Sequence, residues 1–369
     1  MLIKYFLLFA SLSSNYVFAA EKITLQEYLA KIRESNLNIK IENAKAEAAN
    51  ERSSGLRIPP PSLAYDQMNQ AGSTSRGFEI NQTIPFPAKI TSGRSARNAE
   101  ARSVKERAKA SEQEMIAHGK HVYFSVWAAQ EKIEILKEKK VVIEGHIKLS
   151  RSGVRSDSSM KIHLLKSESS LDLLVNEIES TEQLLREEKI HAAEQINIDP
   201  STFDLIAADA PFSSIPKVED LNQSHQLESK KQSLESFYSM ESEAKSGWLP
   251  DFELRYKKMG SNNMFGQYTE VMAGISLPFV FFWEPKAEAG DAHYKRIQAE
   301  LEVEQSKRKI ETQTYSLTSK AESLKKQLDT LDSKLIPQAK VRVNLIRVIV
   351  PRDMESLNDH LETMQTFPE

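Results

Sequence analysis

Residues 85–150 read PFPAKITSGRSARNAEARSVKERAKASEQEMIAHGKHVYFSVWAAQEKIEILKEKKVVIEGHIKLS. After Pro87 the stretch has no proline, and after Gly93 its only glycines are Gly119 and Gly145. Nothing in it breaks a helix. About 63 helical residues rising about 1.5 Å each make roughly 95 Å, more than a compact domain requires. Val122, Val126, Ala129, Ile133, Leu136 and Ile143 step along it by four, three, four, three and seven, which is the spacing of a coiled-coil seam. The stretch 151–159 ends this helix, and a second periodic run over 160–196 turns back. That run carries Leu164, Leu171, Leu174, Ile178 and Leu185 in the same metre.

Upstream, residues 23–55 have helical periodicity, and Thr24 with Glu27 three residues on forms a capping box. Pro59, Pro60 and Pro61 stop that helix. Two alternating stretches follow, 62–68 and 76–84, separated by a turn-rich loop over 69–75. Each has the length of a tilted membrane strand and the weak alternation of a membrane barrel.

The plan then returns. Pro250-Asp251-Phe252 matches Pro61-Ser62-Leu63 at an offset of 189, and Leu277-Pro278-Phe279 matches Ile84-Pro85-Phe86 at an offset of 193. A nearly constant offset marks an internal repeat. In the second half Phe252, Leu254 and Tyr256 alternate with Asp251, Glu253 and Arg255, and Val271 and Ile275 stand on one side of the next strand. The charged set is expected to face water in a lumen, the apolar set to face lipid. Trp248, Phe281, Phe282 and Trp283 cluster at the strand–helix junctions, where an interfacial aromatic girdle belongs. Val303, Ile310, Leu317, Ala321, Leu324, Leu328, Leu331 and Leu335 give the second long helix its seam, which Pro337 interrupts.

The expected organisation is therefore a signal peptide over 1–20 and a first repeat over 21–197, with a strand hairpin at 62–84 and a long helix hairpin at 88–196. An irregular belt over 198–217 links it to a second repeat over 218–369. The second repeat has strands at 251–258 and 268–277, a long helix at 286–347 and a shortened return helix. The leader reading rests on Lys4, a short apolar run and small residues at Ala19 and Ala20.

With 369 residues, a formal net charge of −3 and no cysteine, the chain has no basic footprint for nucleic acid, no disulfides and no thiolate metal site. His118 and His121 with Glu114 have a helical metal spacing, but a third firm ligand is missing, and no metal or cofactor is assigned. No catalytic constellation stands in a believable context, so an enzyme is not expected. Four amphipathic strands are too few to close a membrane barrel, and open edges are not viable in lipid. Either the strands lie outside a membrane or several copies share one barrel, and sharing is the more economical reading.

The order helix, proline stop, strand hairpin, [IL]-P-F, very long helix, tip, return helix, given twice, resembles the outer-membrane efflux protein family, the TolC-like channels with their metal and drug branch. Pro61 and Leu63, Ile84-Pro85-Phe86, Ser152-Gly153 with Leu164-Leu165 and Glu168, Trp248-Leu249-Pro250, Leu277-Pro278-Phe279 and Pro337-Gln338-Ala339 carry the resemblance. It implies a mainly α fold with a small β part: long antiparallel coiled-coil helices in an α-barrel, and four membrane strands per protomer in a trimeric twelve-stranded barrel. It further implies a passive exporter of metal ions or drugs in the outer membrane of a Gram-negative bacterium, embedded in lipid and extending into the periplasm. Its partners would be a periplasmic adaptor (membrane fusion) protein and an inner-membrane efflux pump. Arg151, Arg155 and Asp157 at one tip, with Arg352 and Asp353 at the other, are candidates for a periplasmic gate. The contrasting reading is a periplasmic coiled-coil scaffold or adaptor, or a truncated, divergent copy of the channel.

Overall fold

The computed structural model describes residues 22–70, 72–153, 160–208, 224–261, 266–281 and 283–341. In chain order the elements are β1 (Lys22–Ile23), α1 (Leu25–Ser35), α2 (Leu37–Ser54), β2 (Ser62–Gln70), β3 (Ser73–Ile84), α3 (Pro87–Gly153), α4 (Met160–Gln195), β4 (Ile206–Ala207), α5 (His225–Lys245), β5 (Phe252–Met259), β6 (Tyr268–Ile275) and α6 (Trp283–Thr330). Helix, hairpin and long helix occur twice, as α2-β2-β3-α3 and α5-β5-β6-α6.

Four sequence expectations need correction. The single helix expected over 23–55 is two, because Asn36 leaves the helical region at ψ 125° and donates its side-chain amide to the Gln195 carbonyl at 2.8 Å. The loop expected over 69–75 is mostly strand: β2 and β3 stay paired to Gln70 and Ser73, and Gly72 makes the turn at φ +74°. The 198–217 belt is not wholly irregular, since β4 pairs in parallel with β1. The second long helix is α-helical to Thr330, passes through a π-helical turn, Leu331–Leu335, and resumes as helix over 336–341. Pro337, which has no N–H to donate, lies just beyond that turn. The leader, residues 209–217 of the belt, residues 218–223 of the second repeat and the shortened return helix lie outside the described residues.

The chain forms two compact units. The first comprises residues 1–37, 114–215 and 321–369. Here the α3 seam is as the spacing predicts: Val122, Val126, Ala129, Ile133, Leu136 and Ile143 are all buried. Leu136, Ile143 and Ile147 pack with Leu174, flanked by Leu164, Leu171 and Ile178 of α4. Each such aliphatic chain removed from water contributes roughly 1.5–3 kcal/mol. The capping box starts α1, with the Glu27 amide donating to Thr24 Oγ1 and the Thr24 amide donating to the Glu27 carboxylate. Helix α1 then buries Tyr28, Leu29 and Ile32 against α3 near Gly119 and Tyr123. Gly119 is the crossing point. A Cβ there would collide with Ile32 Cδ1, which explains a glycine in mid-helix.

The second unit comprises residues 38–113 and 216–320. Helices α3 and α5 run antiparallel through small residues. Ser103 Oγ donates to the Ser229 carbonyl and Ser229 Oγ donates back to that of Ser103, both at 2.9 Å. Ser236 Oγ reaches the Ala96 carbonyl at 3.0 Å. Above them stands one antiparallel sheet in the order β2-β3-β5-β6.

Candidate functional site

The sheet is the feature with chemistry in it. Direct pairs across it include Leu63 with Ile80, Tyr65 with Phe78, Ile80 with Tyr256, Ile84 with Phe252, and Phe252 with Ile275. Leu254 pairs with Ala273 and Tyr256 with Val271. Opposed residues share a face, so one face collects Leu63, Tyr65, Phe78, Ile80, Ile84, Phe252, Leu254, Tyr256, Val271, Ala273 and Ile275. None of these is charged. Leu63 at 74 %, Val271 at 75 % and Ile275 at 59 % exposure show that none of the described residues covers them.

The opposite face is a charge ladder. Lys257 Nζ lies 2.7 Å from Asp66 Oδ2 and 3.9 Å from Glu79 Oε2. Arg255 approaches Glu79 and Glu270, each at 3.9 Å. Two cations on β5 thus sit among carboxylates from β2, β3 and β6. Glu253, further along β5, makes no ion pair among the described residues. A one-residue slip of any strand would exchange the two faces, so this pattern fixes the register.

Of the residues singled out in the sequence, Glu253 and Arg255 lie on the charged face, and Phe252, Leu254, Tyr256, Val271 and Ile275 lie together on the apolar one. Asp251 precedes the strand. Its carboxylate accepts from the Phe86 amide at 3.0 Å and from Lys89 Nζ at 2.8 Å, fastening the start of β5 to the start of α3. At the first tip Arg151 pairs with Glu168 at 2.9 Å. Arg155, Asp157, Arg352 and Asp353 lie outside the described residues.

Alternation in the sequence already sets Asp66 on the face opposite Leu63 and Tyr65, and Glu79 on the face opposite Phe78 and Ile80. What it does not give is their pairing with Lys257 and Arg255, nor the aromatic cluster in which Tyr65 pairs directly with Phe78 and the Tyr256 ring, diagonal to it, lies 6.0 Å from that of Phe78.

Trp248 and Trp283 flank the helix-side end of the sheet, both exposed. The α6 seam leucines, Leu317, Leu324, Leu328, Leu331 and Leu335, are 41–66 % exposed, unlike those of α3. Among the described residues no helix is long and apolar enough to cross a membrane, and no three His, Cys, Asp or Glu side chains gather as a metal site.

No family model matches this sequence, and no curated protein is significantly similar to it. Solved structures do match. CusC, studied for its folding and transmembrane channel formation, aligns over 97 % of this chain and 90 % of its own at 12 % identity, with a TM-score of 0.79. The MtrE outer-membrane channel of Neisseria gonorrhoeae, in its open state, aligns over 93 % and 83 % at 15 % identity, TM-score 0.77. The CmeC outer-membrane channel of Campylobacter jejuni aligns over 93 % and 80 % at 13 % identity, TM-score 0.76. The fold is that of these channels, mainly helical with a small β part.

Proposed function

We propose that the chain is one subunit of an outer-membrane conduit, in which three copies join their sheets into a twelve-stranded barrel. The observation that carries this is the sheet itself. Among the described residues it has one exposed face that is apolar along its helix-side length, one face of ionised side chains, and two edges, β2 and β6. An apolar outer face suits hydrocarbon, an ionised inner face suits a water-filled lumen, and edges in lipid must find partners. The uncovered α6 seam asks for neighbours in the same way and would complete an α-barrel in the periplasm. The fold shared with outer-membrane channels supports the reading.

The role needs no catalytic group. Solute passes down the lumen, and the energy comes from a partner pump in the inner membrane through a periplasmic adaptor. Metal ions or drugs are the cargo the reading favours. The leader over 1–20 would deliver the chain to the periplasm. Asp251, Glu253 and Arg255 belong to the wetted lining or its helix-side mouth, while Phe252, Leu254, Tyr256, Val271 and Ile275 meet lipid. Arg151, with Arg155, Asp157, Arg352 and Asp353, would hold the periplasmic aperture.

Fractionation of the expressed chain, detergent extraction and mass measurement test the reading. A heat-labile trimer in the outer membrane that conducts ions in planar bilayers is the expected result. A soluble periplasmic monomer would refute it.

A further inference from the structure

Away from the helices the apolar face changes character. The row of Tyr65 and Phe78 continues into Lys258 on β5 and Thr269 on β6, and the next pair outward is Gln67 on β2 with Arg76 on β3. Phe78 pairs with Lys258, so Arg76 is its diagonal neighbour, about 7–8 Å away between Cα atoms. The backbones are tied at this level by the Gly260 amide donating to the Arg76 carbonyl at 2.8 Å.

The contrast with the other face is informative. There, Arg255 and Lys257 are each met by carboxylates. Arg76 and Lys258 have none: neither makes an ion pair among the described residues. Two unpaired cations beside an aromatic girdle, on the face turned to lipid, would be costly in hydrocarbon and favourable at a negatively charged headgroup layer. A guanidinium offers a planar fork to phosphate oxygens, and an ammonium adds a mobile point charge.

We propose that Arg76 and Lys258 form a binding site for the phosphate of an anionic lipid headgroup at the outer rim of the barrel, one site per protomer. The site rests on the conduit reading above. It anchors the barrel's depth through charge, where the aromatic cluster does so through partition.

The test uses oligomer reconstituted in phosphatidylcholine vesicles containing a trace of labelled diphosphoryl lipid A, with retained label measured on the captured oligomer. The Arg76→Gln, Lys258→Gln double variant is expected to retain the lipid about 30-fold less well, and Arg76→Lys, Lys258→Arg to retain it. Dephosphorylated lipid A should bind the natural chain only as weakly as the variant binds the phosphorylated one. Equal retention by the variant, or equal binding of dephosphorylated lipid, overturns the site. Heat dissociation in pure phosphatidylcholine keeps the two claims apart. If the natural chain forms no heat-labile oligomer there, the conduit reading fails and takes the site with it. If it forms one yet ignores the phosphates, only the site fails.

Discussion

The Lys257 ammonium and the Asp66 carboxylate are 2.7 Å apart although their strands are not neighbours, since β3 lies between them. The bridge passes over Gly77, the β3 residue paired with Asp66. A Cβ at that position would come within 2.5 Å of Met259 Sδ and collide with the Lys258 carbonyl oxygen. Glycine is therefore what the close approach of β3 to β5 at this level requires.

Replacing Gly77 by valine is expected to disturb both the β3–β5 ladder and this bridge. The measurable outcome is a lower heat-dissociation temperature for the oligomer. A double-mutant cycle with Asp66→Asn and Lys257→Gln should return a coupling of about 0.5–1 kcal/mol, the range for partly exposed pairs. Zero coupling would mean that the pair is ornamental.

The charged face carries four carboxylates, Asp66, Glu79, Glu253 and Glu270, against two cations, Arg255 and Lys257. A lumen so lined concentrates cations. Single channels in a salt gradient are expected to show a reversal potential of cation-selective sign. Glu253→Lys, at the carboxylate without an ion pair, should move that potential toward the anion side. A potential unmoved by Glu253→Lys would place this face elsewhere than in the conduction path.

Arginine at Val271 or Leu63 tests the opposite face. Both side chains are about three-quarters exposed and lie on the apolar stretch of the other face. A charge there would cost up to about 2–4 kcal/mol at mid-bilayer depth. Val271→Arg should therefore reduce membrane-assembled trimer while leaving the helical circular dichroism unchanged. Val271→Thr should be tolerated.

Much of this was legible in the chain because the signals are periodic. The heptads of α3 and α4 and the prolines at the strand–helix junctions are local patterns, and local patterns survive in a linear string. The face assignment of β5 and β6 was readable for the same reason. What was hidden depends on long-range partners. The break at Asn36 depends on the Gln195 carbonyl, which lies 159 residues away. The shortened first loop depends on one glycine reaching positive φ at position 72. The faces of Asp66, Glu79, Tyr65 and Phe78 follow from alternation, but their partners on β5 become visible only when the strands are aligned.

Tyr123 shows how a single side chain serves such long-range organisation. It is fully buried in the first unit, donates its hydroxyl to the Ile23 carbonyl at 2.9 Å and accepts from the Ala208 amide at 3.1 Å. The Ala208 amide also donates to the Ile23 carbonyl at 3.2 Å, so removing the hydroxyl leaves both groups paired with each other. Tyr123→Phe is therefore expected to lower stability by roughly 0.5–1.5 kcal/mol, read by denaturant melts of the detergent-solubilised protein. An unchanged midpoint would show that the direct Ala208–Ile23 bond suffices.

The last prediction concerns acid. Glu241, buried in the second unit, is bonded by Lys245 at 2.8 Å and His293 at 3.1 Å, with Arg296 Nε at 2.6 Å. Lys245 first, then His293 and Arg296, hold its carboxyl down to about 2 from an ordinary 4.5, against the opposing effect of burial. A carboxyl more acidic in the folded state contributes stability that is fully present above the ordinary value. That contribution is lost as pH falls from about 4.5 towards 2. Lys245 lies on α5 with Glu241, whereas His293 and Arg296 belong to α6, so protonation weakens the clasp between the two helices. Thermal melts from pH 6 down through this window should show the natural chain losing stability more steeply than Glu241→Gln. The glutamine variant should be less stable at neutral pH, and the two curves should converge at the acid end. Parallel curves would mean that the carboxylate contributes through shape and hydrogen bonding alone.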